Sequence, residues 1–175
     1  MIIKLGQILS QIVFQTRKNC DKIIKDLSKD INNKIILEIG SGKKVNGRYA
    51  YSYKDYFNSS NYFVRSDVNP KLGHKIVDIT KMNIKSKCDV IICLNVLEHV
   101  YEFEIAVRNL YKALKKNGIL IYFSPYIYPL HDLPNDYFRF SEFALKKIFS
   151  GFSKCKIKHF GLKRFPSGYY VKAIK

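Results

Sequence analysis

The sequence predicts an α/β protein with a doubly wound, mostly parallel sheet of seven strands that ends in an antiparallel hairpin. Three observations predict it. Apolar runs of strand length alternate with stretches of helical period along most of the chain. The first run, Lys34-Ile-Ile-Leu-Glu-Ile-Gly-Ser-Gly, passes directly into a glycine turn. The last two runs are separated by Pro166-Ser-Gly168, the composition of a tight reversal.

The elements follow in order. Ile2, Leu5, Leu9, Ile12 and Val13 recur at helical spacing, and a second short helix is expected over Asp21–Lys29, with Ile23, Ile24 and Leu27 inward. Residues 1–31 are expected to pack on or cap the core of one domain spanning 1–175. Asn32-Asn33 breaks the pattern before the first strand, where Ile35, Ile36, Leu37 and Ile39 suit burial on both faces. A short helix is expected near Ser52–Phe57. The second strand, Tyr62–Ser66, ends at Asp67, and Asn69-Pro70 makes a turn. The third, Lys75–Val77, ends at Asp78. The fourth, Asp89–Leu94, is nearly all apolar and therefore central. A helix from about Glu102 to Lys116 carries a buried stripe of Phe103, Val107, Leu110, Tyr111 and Leu114, with Asn117-Gly118 as its stop. Ile119–Phe123 is the fifth strand. Ser141 is placed to cap a helix running to Phe149, with Phe143, Leu145 and Ile148 inward. Cys155–Phe160 and Tyr169–Ile174 form the closing hairpin.

Composition bounds the partners. A chain of 175 residues with 47% hydrophobic and 26% charged residues can bury a sizeable core. Its formal net charge of +17 admits two readings: a polyanionic partner, or lysines scattered over a solvated surface, which their even spread favours. Cys20, Cys88, Cys93 and Cys155 form no C-x-x-C pair and match no zinc spacing, so free thiols in a reducing cytoplasm are expected. Lys4, Gly6, Gln7, Ser10 and Gln11 make the first segment too polar to span a bilayer.

In a doubly wound sheet the ligand sits at the carboxyl ends of the strands. The chemically informative residues fall there: Glu38 and Gly40 after strand one, Asp67 after strand two, Asp78 after strand three, Asn95 after strand four. A long connection, Pro125–Arg139, with three prolines, follows strand five. Acids at three neighbouring strand ends beside Gly-x-Gly suit an adenosyl ligand, because carboxylates accept from ribose hydroxyls and from an adenine amino group. A nicotinamide dinucleotide would want a third glycine where Val45 stands, and the P-loop pattern is absent.

Leu37-Glu-Ile-Gly-Ser-Gly42 resembles motif I of class I S-adenosylmethionine-dependent methyltransferases. The resemblance runs from about Lys34 to the end. Arg65-Ser-Asp-Val-Asn-Pro70 resembles the acidic turn after strand two, and Val77-Asp-Ile-Thr80 the adenine-side motif. Leu94-Asn-Val-Leu-Glu-His-Val100 resembles the N-V-L-E-H stretch of the type 11 group, and the loop with His131 and Asp136-Tyr-Phe-Arg-Phe140 resembles a bacterial subgroup. The resemblance implies a Rossmann-like fold and S-adenosylmethionine as cofactor. Gly40 and Gly42 would let its methionine part lie against the backbone, with Glu38 anchoring the polar end. Asp67 would hold the ribose, Asp78 and the Ile79 backbone the adenine, and Asn95 would close the site. Lys44 departs from the pattern, standing where many relatives have a third glycine, and Asn46, Gly47 and Arg48 are expected to build an unusual loop beside it.

Methyl transfer from a sulfonium is an in-line displacement, so the protein chiefly aligns and desolvates the reactants. His131, with an ordinary pKa of about 6.5, is the candidate base for a hydroxyl acceptor. Asp136 would orient it, and Arg139 would hold an acidic acceptor. Against these stands a plain pairing of Asp136 with Arg139 and a carbonyl partner for His131. Tyr126, Tyr128, Tyr137 and Phe138 line an acceptor pocket or pack. No metal is expected: metal-dependent relatives in the ubiquinone branch carry an extra carboxylate upstream of Glu98-His99, and this chain has Asn95 there. Glu98 is instead expected to favour the helix N-terminus. The expected acceptor is a small molecule, a glycan or sugar precursor by analogy. RNA or another polyanion, and a non-catalytic cofactor-binding role, are the alternatives.

Overall fold

The computed structural model describes residues 2–45, 48–49 and 52–175, with backbone alone for residues 2–14, 44, 45, 48 and 49. The elements are α1 (Ile2–Ser28), β1 (Ile35–Ile39), β2 (Lys44–Val45), β3 (Arg48–Tyr49), β4 (Tyr62–Asp67), β5 (Lys75–Ile76), β6 (Cys88–Leu94), α2 (Phe103–Ala113), β7 (Leu114–Pro125), α3 (Glu142–Ile148), β8 (Lys154–Leu162) and β9 (Phe165–Ile174). The main sheet has seven strands in the order β5-β4-β1-β6-β7-β9-β8. The first five in that order run parallel; β9 is antiparallel to both β7 and β8. The expected doubly wound sheet with its closing hairpin is therefore present.

Period-two alternation divides the core between the two faces of the sheet. On β6, Ile91 and Cys93 join Leu37, Leu120 and Tyr122 beneath Ala106, Leu110, Leu145 and Phe149 of the α2 and α3 layer. Val90, Ile92 and Leu94 join Ile36, Ile121 and Phe123 beneath Cys20 and Ile24 of α1. With both faces covered, β6 is buried along nearly its whole length, as its apolar run requires.

Four local expectations are corrected. The two N-terminal helices are one: Thr16 and Cys20 are buried and an Arg17–Asp21 ion pair spans the intended break, so the polar stretch continues as the outer face of α1. The helix α2 ends at Ala113, before Lys116, because Leu114 already pairs beside Cys88; Asn117 takes a left-handed φ of 63° in the following strand. Phe143 points outward and is 78% exposed; Leu145 and Phe149 fill the core beneath α3. The hairpin reverses at Lys163-Arg164, and Pro166-Ser-Gly168 lies inside β9. Asn46 and Gly47, read as part of an unusual loop, lie outside the described residues; the short antiparallel pair β2–β3 flanks them. Ser141 caps α3 as expected, accepting from Ala144 N.

The helix α1 runs antiparallel to the parallel strands. Ile31, just past its end, accepts a hydrogen bond from Asn61 at the amino edge of the sheet, and Cys20 lies against Tyr53 and Asn95 at the carboxyl edge. At about 1.5 Å per residue its 27 residues span about 40 Å, so its first turns project beyond the carboxyl edge.

Gly168 reports on this architecture. A Cβ there would meet Phe123 Cζ at 2.5 Å and Ser124 O at 2.7 Å, so glycine is what lets β9 lie flat on β7. Gly168→Ala should cost about 2 kcal/mol or more through overpacking, read as a lower urea midpoint. An unchanged midpoint would refute the close β7–β9 contact.

Candidate functional site

The sheet order sets the candidate residues along one carboxyl edge: Asp78 follows β5, Asp67 ends β4, Glu38 lies near the end of β1, Asn95 follows β6, and the loop 126–140 follows β7. Neighbouring strands are about 4.8 Å apart, so residues distant in sequence form one row.

At the end of β1, Gly40 and Gly42 adopt φ of 72° and 66°. A Cβ on Gly40 would also meet Val96 Cγ2 at 2.7 Å. Glu38 is 1% exposed, and its two carboxylate oxygens are engaged by the chain itself: Oε2 accepts from Ser41 Oγ at 2.6 Å and Oε1 from Tyr53 N at 2.7 Å. Burial pushes its carboxyl upward, against these bonds, which pull it down. Ser66 closes the circuit, donating from Oγ to Glu38 O at 2.6 Å and from N to Ser41 Oγ at 3.2 Å.

Asp67 holds the second glycine: Gly42 N donates to Oδ2 at 3.0 Å and Asn69 N to Oδ1 at 3.0 Å. His74, which the sequence reading passed over, sets Nε2 2.8 Å from Gly42 O. Asp78 accepts from Thr80 N and Oγ1 through Oδ1, and Lys81 Nζ lies 3.5 Å from Oδ2; the Thr80 hydroxyl is the main reason its carboxyl lies below the usual range. Ile79 is buried, and its carbonyl accepts from Asn109 Nδ2 at 3.0 Å. Asn95 takes a left-handed φ of 54° and donates from N to Phe123 O.

On the other half of the row, the 126–140 loop folds back over the turn Leu97–His99. Tyr137 N and Phe138 N both donate to Glu98 O. Asp136 is paired with Arg139 through Nη1 at 2.6 Å and Nη2 at 2.7 Å, and accepts from His131 N at 3.0 Å. Arg139 also donates to Pro129 O and Phe138 O. These bonds hold the Asp136 carboxyl down to about 2, with Arg139 the first cause, and they fasten the loop from within. Phe138 stacks with Phe140 and meets Phe103 edge-on, Tyr126 meets Tyr169, and Tyr128 meets the His131 ring.

Glu98 does not sit at the N-terminus of α2 as expected. It lies in the preceding 3-10 turn, wholly buried, and among the described residues neither carboxylate oxygen has a side-chain or neighbouring-segment hydrogen-bond partner. Burial pushes it up to about 8. His99 and His131 stand beside it, their rings 4.7 Å apart and edge-on. One ligating atom from each of Glu98, His99 and His131 lies within 4.8 Å of the others. The sequence offered Glu98-His99 as neighbours; it carried no signal that His131, 32 residues on, joins them.

This fold is that of a class I S-adenosylmethionine-dependent methyltransferase. The family model described as "Methyltransferase domain" matches residues 13–136, and the chain belongs to that family. No curated protein sequence matches it. Among solved structures it is similar to a CurJ carbon methyltransferase (16% identity, TM-score 0.68, covering 90% of this chain and 53% of that one). It is also similar to the N-methyltransferase NodS of Bradyrhizobium japonicum (15% identity, TM-score 0.66, 91% and 96%). A third is the Burkholderia thailandensis 1,6-didemethyltoxoflavin-N1-methyltransferase, solved with S-adenosylhomocysteine (14% identity, TM-score 0.63, 91% and 78%). The chain thus spans about half the length of the carbon methyltransferase. At these identities the likeness shows the shared fold.

Glu38→Gln sets an amide NH2 against a donor and weakens two buried bonds. It should lower stability by about 1–3 kcal/mol in urea denaturation. A variant as stable as wild type would remove Glu38 from its organising role.

Proposed function

We propose that residues 1–175 act as one catalytic unit in the cytoplasm, moving the methyl group of S-adenosylmethionine to a small polar acceptor such as a glycan or sugar precursor. The observation that carries this reading is the row Asp78–Asp67–Gly42/Gly40–Asn95 at the carboxyl edge, next to a loop held over the same edge. The residues fit the cofactor. Asp67 and Asp78 are only half-buried, and each carboxylate oxygen has lone pairs beyond its present bonds, so ribose hydroxyls and an adenine amino group find acceptors. Left-handed Gly40 and Gly42 bring bare backbone to the site. Glu38, already bonded at both oxygens, supports the cofactor's polar end chiefly by holding that turn. Asn95 closes the site beside Cys20 of α1.

When bound, the cofactor supplies a methyl group on a positively charged sulfur, already activated for displacement. The chain's task is then to align the acceptor, exclude water and take a proton where the acceptor is a hydroxyl. The 126–140 loop flanks the edge and excludes water. Asp136 and Arg139 position His131 through the loop rather than facing the acceptor, given that their bonds lie within it. His131 takes the proton on Nε2, since its Nδ1 faces the Pro129 carbonyl.

The +17 charge favours a second reading, a polyanionic acceptor such as RNA. Lys154, Lys156 and Lys158 alternate along the exposed edge strand β8, and they share one side of it. Among the described residues no helix is long and apolar enough to cross a membrane.

Calorimetry with S-adenosylhomocysteine tests the first reading. Wild type should bind it, and Asp67→Ala should bind it about tenfold or more weakly, since hydrogen bonds to a charged group are lost. A folded wild type that binds neither cofactor nor product refutes the enzyme reading. Strong, salt-sensitive RNA binding in a shift assay would move the acceptor to the polyanion class.

A further inference from the structure

We propose that Glu98, His99 and His131 form a binding site for a first-row divalent cation at the acceptor end of the carboxyl edge. The inference rests on the methyltransferase reading only for the ion's use, not for the site itself.

Four observations carry it. First, Glu98 is wholly buried, both carboxylate oxygens are unpartnered among the described residues, and two imidazoles stand beside it. A buried carboxylate without a partner is costly, and a cation is the partner that removes the cost. Second, both imidazoles have their Nδ1 facing carbonyl oxygens, His99 at 2.9 Å from Asn135 O and His131 at 3.1 Å from Pro129 O. A carbonyl can only accept, so Nδ1 carries the proton and Nε2 the lone pair in each neutral ring. A carbonyl on the far nitrogen is what fixes the ring orientation and tautomer of a metal-ligating histidine. Third, the ligating atoms already converge. Atoms no more than 4.8 Å apart fit a circle of radius about 2.8 Å, so each moves inward by less than about 1 Å to reach usual bond lengths. Fourth, the frame is stiff. The Asp136–Arg139 pair anchors His131 N, and two amides of the loop bind Glu98 O.

Two imidazoles and one carboxylate favour zinc, manganese, iron or cobalt in the divalent state over calcium or magnesium. Three protein donors leave coordination positions open. Asp132, exposed, with Oδ2 4.0 Å from His99 Nε2, borders one of them. An open position at the end of β7 would take an oxygen of the acceptor and lower its pKa. His131 would then act as a ligand in place of a base: the ion would lower the pKa of the acceptor hydroxyl, and the proton it gives up would leave to solvent past exposed Asp132.

The test is a titration of chelator-treated protein with Zn(II) by calorimetry, with S-adenosylhomocysteine binding measured on the same samples. Wild type should take up one equivalent, and Glu98→Gln and His131→Gln should each weaken it about 100-fold or more. His159→Gln, at an exposed position on β8, should match wild type. Equal Zn(II) affinity in wild type and Glu98→Gln overturns the site, and Glu98 is then simply a buried protonated acid. Should either variant not fold, Co(II) added to wild type decides: visible bands of imidazole coordination support the site, and the spectrum of the aquo ion overturns it. Product binding keeps the two readings apart. Glu98-dependent Zn(II) binding without S-adenosylhomocysteine binding leaves the ion site standing and sinks the methyltransferase reading. The reverse result sinks the ion site alone.

Discussion

The candidate cofactor half of the edge depends on one buried carboxylate. Glu38 stands on the face of β1 that α1 covers, next to Ile36 and Tyr53. There it gathers three chain segments: the glycine turn through Ser41, the 52–57 stretch through Tyr53 N, and, through the Ser41–Ser66 bonds, the end of β4. A carboxylate in such a place is tolerated because its bonds are short and charge-assisted. The same bonds bring Asp67, one residue past Ser66, to Gly42 N. The donor side is therefore set by bonds within the chain, ahead of any ligand.

Much of this was legible because the signals are local. The apolar runs Ile35–Ile39 and Asp89–Leu94 read as buried parallel strands, and their lengths placed Glu38 and Asn95 at the carboxyl ends. What failed did so where a residue type has two uses. Gly168 reads as a turn glycine, yet its missing Cβ makes room for the Phe123 ring. Pro166 also reads as a turn residue, but it falls at the register shift beside Gly161, where the ladder is irregular and a missing N–H does no harm. The apolar period lapses between Val13 and Asp21, yet buried Thr16 and Cys20 carry one helix through. Each of these errors came from tertiary context that a single window does not contain.

The acceptor side differs in kind. Its decisive contacts join the turn at Glu98 to a loop more than 30 residues later, and backbone amides make the join, Tyr137 N and Phe138 N on Glu98 O. Backbone donors leave no residue-type signature, so the meeting of Glu98 with His131 was invisible in the sequence. The Asp136–Arg139 pair was visible, but its spacing of three residues could not say whether it faced a substrate or its own loop. The bonds to Pro129 O and His131 N answer that: the pair is internal to the loop.

Glu38 and Glu98 make an instructive contrast. Both are buried glutamates near the carboxyl edge of the same sheet, and burial raises both. Glu38 has two donors from its own chain; Glu98 has none among the described residues. A fold can hold a buried acid by satisfying it, as at Glu38, or can leave it for something that arrives later. The neighbours of Glu98 argue for the second. Tyr122 Oη and Ser124 Oγ are buried there too, close enough to interact with each other, and Tyr122 lies within the field of Glu98. Two imidazoles complete the wall, each with Nδ1 engaged and Nε2 left as its remaining ligating atom. So much unmet polarity in one small volume is costly unless a polar or charged species fills it. That is the physical reason to look for a bound cation between β6 and β7.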